Sequence, residues 1–325
     1  MIKKVKIEDA IGQPLLHDLT GIMADGFKGV VFKRNHIVQE EDLEKLRDIG
    51  KDHIYVGELD KDCVHEEDAI SEVAPLLIGD NISLSKPSEG KISFTSKVFG
   101  LFTINRQALL ELNQRGIYTF ATIKSYSTVK KGDKLVGARI VPLYTDRKEV
   151  EIIKEIGKKY GPIFEVREFK KLKVGVIITG SEIYYGRIKD LFEPIIRKKI
   201  VFFDGKIQGI KKCPDDLEMI EEISQEFLDE GCDLIVFSGG MSVDPDDLTP
   251  RVIRSMSDKF IIQGLPMQPG NMLTVGKNKQ TYLVGVPGAS IHSEITSFDF
   301  FLPRIFAGID LKKSDFTEMG EGGLL

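Results

Sequence analysis

The hydrophobic and polar positions divide the chain into two textures. From Lys171 onward, short continuous apolar runs alternate with stretches whose apolar residues recur every three or four positions. Lys173–Thr179 (KVGVIIT), Asp233–Phe237 (DLIVF) and Thr281–Val286 (TYLVGV) read as strands buried on both faces, and Lys206–Lys212 as a further strand. Asp216–Glu230 carries Leu217, Ile220, Ile223, Phe227 and Leu228 on one helical face and stops at Gly231. Helices are also predicted at Phe192–Ile200, with Pro194 in its first turn, at Pro250–Met256 and at Ile291–Phe306. Strands alternating with helices of this length predict an α/β domain, three layers deep, with a mostly parallel sheet over residues 169–311.

The first half is patterned differently. Glu40–Ile49 reads as a helix, with Leu43, Leu46 and Ile49 on one face, acids at its start and Gly50 as its stop. His53–Val56 follows as a strand, and the polar, acidic stretch 57–70 reads as a linker or an excursion. Residues 71–145 hold short β-like runs broken by glycines (GDNISL, EGKISFTS, VFGLFTI, GIYTFATI), one helix at Arg106–Gln114 and turn chemistry in KKGDKLVG. A connecting helix over 146–164 places Val150, Ile153, Ile156 and Tyr160 on one side. The expected organisation is therefore a mixed N-terminal segment (1–70), a smaller β-rich module (71–168), the α/β domain (169–311), and a loose Gly-rich, acidic tail (312–325).

Composition narrows the class. The 325 residues are 42 % hydrophobic and 29 % charged, ordinary for a globular protein, with a formal net charge of −5. No overall basic field exists to hold a polyanion, so nucleic acid is not an expected partner. Cys63, Cys213 and Cys232 are too few and too far apart for a disulfide framework or a CxxC metal site. No run of about 18 apolar residues occurs and the N-terminus lacks a signal-type apolar core, so no membrane association and a cytoplasmic location are expected.

The candidate chemistry lies at the ends of the apolar strands. TGSE (Thr179–Glu182), SGGMSVDPDD (Ser238–Asp247) and PGAS (Pro287–Ser290) each follow a strand directly. Strand ends of one polarity share an edge of a parallel sheet, which is where open α/β sheets bind ligands. Glycines admit close backbone approach, and exposed amides at a helix start hold an anion, so the edge suits a phosphate-bearing molecule. Neither GxGxxG nor GxxxxGK[ST] occurs, which argues against a dinucleotide-binding dehydrogenase and a P-loop NTPase. Glu182, Asp215, Asp216, Asp244, Asp246 and Asp247 gather in these loops, and carboxylate oxygens suit Mg²⁺. Asp215 and Asp216 also suit helix caps, and Asp244 and Asp246 flank Pro245 as turn formers. Glu182 and Asp247 stand out as functional. The five histidines form no metal-spaced pair, and His292 is placed at the start of the last helix, near PGAS.

The order of these motifs resembles the molybdopterin-binding domain shared by molybdopterin molybdotransferases and molybdopterin adenylyltransferases. The family pattern runs TGDE, an acidic pair before a helix, DLxxxSGGxSxGxxD, PGKP and LPGNP. This chain reads TGSE, Pro214–Asp216 (PDD), DLIVFSGGMSVDPDD (Asp233–Asp247), QPGN (Gln268–Asn271) and VPGAS (Val286–Ser290). FKGVVFKRNHIVQEEDLEKLRDIGKDHIYV is similar to the stretch that precedes this domain in molybdotransferases. The resemblance implies that Glu182, Asp215 and Asp247 act on the substrate, with Glu182 and Asp247 at Mg²⁺. It implies that Thr179, Gly180, Ser181, Ser238, Gly239, Gly240, Ser242, Pro269, Gly270, Pro287 and Gly288 contact the pterin or its phosphate. The implied ligands are molybdopterin or its adenylylated form, and molybdate; the implied state is a homodimer that serves a molybdoenzyme. The chain departs from the pattern at Ser181 (for Asp), Asp244 (for Gly), Asn271 (for Lys), Met272 (for Pro), and Ala289 and Ser290 (for Asn and Pro). Loss of the lysine removes a cation from an oxyanion site. Two readings stay open: a divergent molybdotransferase, or a carrier, chaperone or sensor without turnover. A nucleotide-processing relative is a third.

Overall fold

The computed structural model describes every residue except Met1, Met23–Asp25, Glu58, Glu89, Ser242, Val243, Pro245 and Asp246. The chain divides into two compact units, Met1–Val166 and Arg167–Leu325.

Among the described residues, the first unit gathers two hydrophobic clusters. The smaller gathers Ile7, Leu15, Leu19, Phe32, Leu46, Ile54 and Val56. Its elements are β1 (Lys3–Lys6), β2 (Leu19–Ile22), β3 (Lys28–Phe32), α1 (Asp42–Asp48) and β4 (His53–Val56), with β1 antiparallel to β4 and β2 to β3. The stretch expected to be a linker is structured. Cys63–His65 forms β5, and Glu66–Val73 forms α2, which buries Ala69, Ile70 and Val73. Its three leading acids (Glu66, Glu67, Asp68) are first-turn residues that suit the helix dipole. The acidic run hid the apolar face behind it.

The larger cluster lies among β6 (Ile82–Leu84), β7 (Lys91–Ser96), β8 (Gly100–Ile104), α3 (Arg106–Gln114), β9 (Tyr118–Thr122), β10 (Ser127–Val129), β11 (Lys134–Ile140), β12 (Tyr144–Asp146), α4 (Arg147–Tyr160) and β13 (Phe164–Glu168). A four-stranded antiparallel sheet runs β6-β7-β11-β9 and a three-stranded sheet β10-β8-β13. This is the β-rich region, and α4 packs Val150, Ile153 and Ile156 into its core.

The second unit is an α/β domain of three layers. Its elements are β14 (Lys173–Thr179), α5 (Ser181–Tyr184), α6 (Phe192–Phe202), β15 (Lys206–Cys213), α7 (Leu217–Asp229), β16 (Leu234–Ser238), α8 (Thr249–Ser255), β17 (Lys259–Gln263), β18 (Thr274–Asn278), β19 (Thr281–Val286), α9 (Ser297–Phe306) and α10 (Lys313–Thr317). The six strands are ordered β15-β14-β16-β19-β18-β17. β15, β14, β16 and β19 are parallel neighbours, and β18 runs antiparallel to both β19 and β17. Alternate residues of the central strands face opposite layers. Ile177, Ile235, Phe237 and Leu283 join α7 and α8 in one core, while Val174, Val176, Ile178, Leu234, Val236 and Val284 are buried on the other face. There α6 meets α9: Phe203 and Phe306 rings lie 5.2 Å apart, and Lys199 pairs with Asp299. Phe227 of α7 is fully buried over Gly175 and Gly209 of β14 and β15, where an added Cβ would come within 2.5 and 3.2 Å of its ring. The strand glycines make room for the aromatic ring.

Two expectations change. The last helix begins at Ser297, not Ile291. Thr296 and Asp299 form a capping box that fixes its start, and Gly288–Ile291 is a separate 3₁₀ turn. His292 is therefore outside the helix and exposed. The final segment is not a loose tail: α10 buries Phe316 completely, and Leu311 N–H donates to the Tyr282 hydroxyl at 2.9 Å.

Candidate functional site

Strand register fixes the edge on which the motif loops open. Thr179 pairs with Cys213, Ile178 with Ser238, and Ser238 with Val286. Thr274 pairs with Gly285 and with Gln263. The ends of β14, β15, β16, β17 and β19 and the start of β18 thus form one row. TGSE, PDD, SGGMSVDPDD, the 264–273 loop and PGAS all leave from it.

At the first loop, Ser181 and Asp215 hold each other. Ser181 N–H donates to Asp215 Oδ2 at 2.9 Å, and Asp215 N–H donates to Ser181 Oγ at 3.4 Å. Asp215 therefore satisfies a free amide at the start of the short helix α5. Asp216 caps α7, accepting from Met219 N–H at 2.9 Å. Glu182 is exposed, and its Oε2 lies 3.5 Å from where a Cβ on Gly180 would stand, so the carboxylate folds back over the loop.

The second loop is tied to the first by threonines. Thr179 Oγ1 donates to the Ser238 carbonyl at 3.2 Å and lies 3.3 Å from Thr249 Oγ1. The Thr249 hydroxyl donates to the Gly239 carbonyl at 2.9 Å. Gly239 has φ +88°, and a Cβ there would stand 2.1 Å from the Thr179 carbonyl oxygen. Only glycine fits. Ser238 Oγ is fully buried with no hydrogen-bond partner among the described residues, a state that calls for an explanation in a native structure. Beyond Gly240, Ser242 and Asp246 lie outside the described residues. Asp244 and Asp247 form a reciprocal turn: Asp244 N–H donates to Asp247 Oδ2 at 3.2 Å, and Asp247 N–H to the Asp244 carbonyl at 3.0 Å.

The remaining two loops meet at the start of α9. Ser297 Oγ donates to the Gly270 carbonyl. Ser290 Oγ lies 3.1 Å from Thr296 Oγ1, and Thr296 N–H donates to Asp299 Oδ2 at 2.8 Å. Pro287 is buried and Gly288 exposed, with no atom within 4 Å of where its Cβ would be. Pro269 is half-buried, and Asn271 is exposed at the mouth of its loop.

The loops are thus assembled in pairs: Ser181 with Asp215, Thr179 with Ser238 and Gly239, Gly270 with the start of α9, and Ser290 with Thr296. Glu182, Asp215 and Asp247 do not come together as one three-carboxylate group. Among the described residues, no three His, Cys, Asp or Glu side chains are placed to share a metal ion. Cys213 is no candidate nucleophile, because burial, with Asp215 and Asp216 nearby, pushes its thiol up to about 12. Thr249, Thr296 and Ser297 shape the site but escaped the sequence reading. Thr249–Pro250 and the Thr296/Asp299 spacing were their signals, since threonine before a helical run, with Pro or an acid just after, marks a helix start. Among the described residues, no helix is long and apolar enough to cross a membrane.

Comparison with known proteins places this geometry. Residues 175–307 match the family described as "probable molybdopterin binding domain". Residues 4–58 match a domain of unknown function, DUF8806. A molybdopterin molybdenumtransferase of Synechococcus elongatus is 24 % identical over 153 residues, which is 44 % of this chain and 38 % of that protein. A CinA-like protein of Mycolicibacterium gilvum is 30 % identical over 105 residues, 32 % of this chain and 24 % of that protein. The solved molybdopterin biosynthesis enzyme MoaB of Thermus thermophilus is 24 % identical, with a TM-score of 0.37, over 41 % of this chain and 91 % of its own. The chain spans between about a quarter and half the length of the curated relatives it matches. Residues 175–307 run from β14 to the end of α9, so the motif loops fall inside the region that matches the molybdopterin-binding family, and the chain resembles the molybdotransferases over part of their length.

Proposed function

We propose that this protein binds molybdopterin, or its adenylylated form, at the edge formed by the ends of β14, β16 and β19, as a step in molybdenum cofactor biosynthesis. The observation that carries this reading is the junction of TGSE and SGG through Thr179 and Thr249, inside the matched domain. It brings two glycine-containing loops together at the strand-end edge where open α/β sheets bind ligands. Thr179, Gly180, Ser181, Ser238, Gly239, Gly240 and Ser242 would line the phosphate side. Pro269, Gly270, Pro287 and Gly288 would shape the far wall.

Glu182 and Asp247 are oxygen donors of the kind that suit Mg²⁺, and its remaining ligands would come from substrate phosphate and water. Bound there, the ion would neutralise charge on a departing phosphate. These two carboxylates favour turnover by a divergent molybdotransferase: attack of water on the adenylyl phosphorus breaks its anhydride bond to the pterin phosphate, which departs as molybdopterin and leaves AMP, and the two dithiolene thiols then replace one oxo group of molybdate, which is released as water. Asn271 in the lysine position favours a carrier, chaperone or sensor that holds the pterin without turnover, because a neutral amide offers less to an oxyanion. In either role the protein would act as a cytoplasmic homodimer that supplies a molybdoenzyme.

Mass spectrometry of ligand retained on purified protein tests the binding. A pterin is expected; bound nucleotide without pterin would overturn the reading and favour a nucleotide-processing relative. Incubation with adenylylated molybdopterin, Mg²⁺ and molybdate then separates the two roles. AMP release that collapses in Glu182→Gln and Asp247→Asn identifies the transferase, and tight binding without AMP release identifies the carrier. Sedimentation of the purified chain reads the oligomeric state.

A further inference from the structure

Helix α6 is apolar on two faces, and among the described residues only one of them is covered. Phe192, Ile196 and Ile200 turn into the domain and are buried. Helix positions three and four apart share a face. Leu191, Pro194, Lys198, Val201 and Phe202 therefore form the opposite one, and all five are exposed. A surface helix ordinarily carries one apolar stripe, whereas a helix apolar on both sides is one that is packed on both sides.

The same surface continues into the segment that leads to α6. Tyr184 and Tyr185 stand with ring centroids 5.2 Å apart, Arg187 Cζ lies 5.7 Å from the centre of the Tyr185 ring, and Ile188 follows; all four are exposed. Ile295 joins from the other side, since Lys199 of α6 donates to the Glu294 carbonyl at 3.0 Å. Among the described residues, the second unit exposes nine large hydrophobic side chains. Six lie between Tyr184 and Phe202, and the others are Ile295, Leu324 and Leu325. Single exposed apolar side chains are ordinary, but a gathered patch marks an interaction surface, and tyrosine and arginine are the types that anchor one.

The charges indicate the occupant. Arg197 pairs with Glu193 at 3.1 Å. Among the described residues, no carboxylate pairs with Arg187, Lys189 or Lys198. Lys198 sits in the middle of the apolar face, and covering an ammonium without giving it a carboxylate is costly. A second copy paired two-fold along α6 would set Lys198 against Lys198, and a wholly apolar partner would bury it unanswered. A partner whose own apolar stripe is flanked by carboxylates satisfies both the stripe and the lysine. Apolar side chains three and four apart form the ridges between which another helix packs.

We propose that the outer face of α6, with Tyr184–Ile188, docks another protein through a helix whose apolar stripe is flanked by glutamate or aspartate. The docked helix lies next to the TGSE loop, which runs directly into Tyr184. The probe is a fluorescein-labelled peptide of several heptads with leucine at a and d and glutamate at e and g; its counterpart with lysine at e and g is the control. Anisotropy titration of the full chain is expected to show the glutamate peptide bound at least about tenfold more tightly than the lysine peptide. Lys198→Glu should reverse that order. Val201→Ser with Phe202→Ser, at two exposed positions and so with unchanged thermal unfolding, should weaken binding of the glutamate peptide at least about tenfold. Binding of neither peptide, or an order that Lys198→Glu leaves unchanged, overturns the proposal. Sedimentation of the parent as a dimer that the double variant turns into a monomer also overturns it and assigns the face to a second copy. Co-sedimentation with phosphatidylglycerol vesicles that the double variant loses overturns it in favour of a lipid surface. Ligand retained at the strand-end edge is a separate readout, so the docking face and the molybdopterin reading fail independently.

Discussion

Thr249→Val isolates the contact on which the site depends. The Thr249 hydroxyl has one proton and spends it on the Gly239 carbonyl at 2.9 Å. Its oxygen lies 3.3 Å from that of Thr179, whose proton goes to the Ser238 carbonyl. Valine keeps the shape and removes both contacts, leaving the Gly239 carbonyl without this donor. A net hydrogen bond contributes about 0.5–1.5 kcal/mol, and an unsatisfied buried acceptor costs about 1–3. The expected loss is about 1–3 kcal/mol. At about 2–4 °C per kcal/mol for a unit of this size, that lowers Tm by roughly 2–12 °C. Urea unfolding followed by far-UV circular dichroism reads the loss, and hydrogen exchange at the amides of β14 and β16 assigns it to this unit. Thr249→Ser keeps the hydroxyl and should recover most of it. The pair Thr179→Val with Thr249→Val should couple by about 0.5–3 kcal/mol, since the two residues share a network. Additive losses, or a Thr249→Val loss below about 0.5 kcal/mol with unchanged ligand affinity, would refute the claim that these hydroxyls set the loops.

Phe316→Ala removes a fully buried ring from Phe301 and should cost about 3–5 kcal/mol, releasing the segment after Leu311. Trypsin should then cut at Lys312 or Lys313 well before the rest of the chain, and equal resistance in parent and variant would contradict the anchoring. His65 in the first unit is buried, and desolvation, with Arg34 nearby, holds its imidazole down to about 4. The unfolded chain takes up that proton near 6.5, so this contribution is intact above pH 6.5 and is lost as pH falls toward about 4. His65→Gln should flatten the slope of stability over that window; an unchanged slope assigns it to other groups. Burial also pushes the Cys213 and Cys232 thiols up to about 12 and about 11. Both should react with an aromatic disulfide reagent only after denaturation, and fast native labelling of either would show that its strand end is open.

The sheet was legible because buried parallel strands leave a continuous apolar signature. KVGVIIT, DLIVF and TYLVGV became β14, β16 and β19, with bounds within a residue. Signals that compete with one another were harder to read. In Glu66–Val73 the helical apolar face is short and follows three acids, so the stretch passed for a linker. In Ile291–Phe306 the apolar pattern runs straight through a stop that only Thr296 and Asp299 mark. The ordering of Lys312–Leu325 depends on the fit of Phe316 against Phe301 and of Gly323 against Pro266, contacts distant in sequence that no local composition reveals. For the site, the sequence located the loops but not their joining. Thr249 lies 70 positions from Thr179, and nothing in either neighbourhood announces that they touch.

The carboxylates show why residue type alone does not assign a role. Asp215 and Asp247 each give a side-chain oxygen to a backbone amide. Those amides would otherwise point at an incoming anion. A carboxylate that occupies an amide repels phosphate unless a cation intervenes, so each works against anion binding in the bare site and in favour of it once Mg²⁺ is present. Ser181 sharpens this. Where the family pattern has an aspartate beside the acidic pair, this chain has a hydroxyl that hydrogen-bonds Asp215, which removes one negative charge and with it part of the demand for a cation. Asp244, where the pattern has glycine, returns a carboxylate to the edge, so these two substitutions move negative charge along it without lowering the carboxylate count, while Asn271 leaves no lysine for an oxyanion. An edge that keeps its carboxylates but lacks the lysine offers more to a cation that bridges to phosphate than to a free oxyanion. That asymmetry supports holding the phosphate through a cation over taking up molybdate.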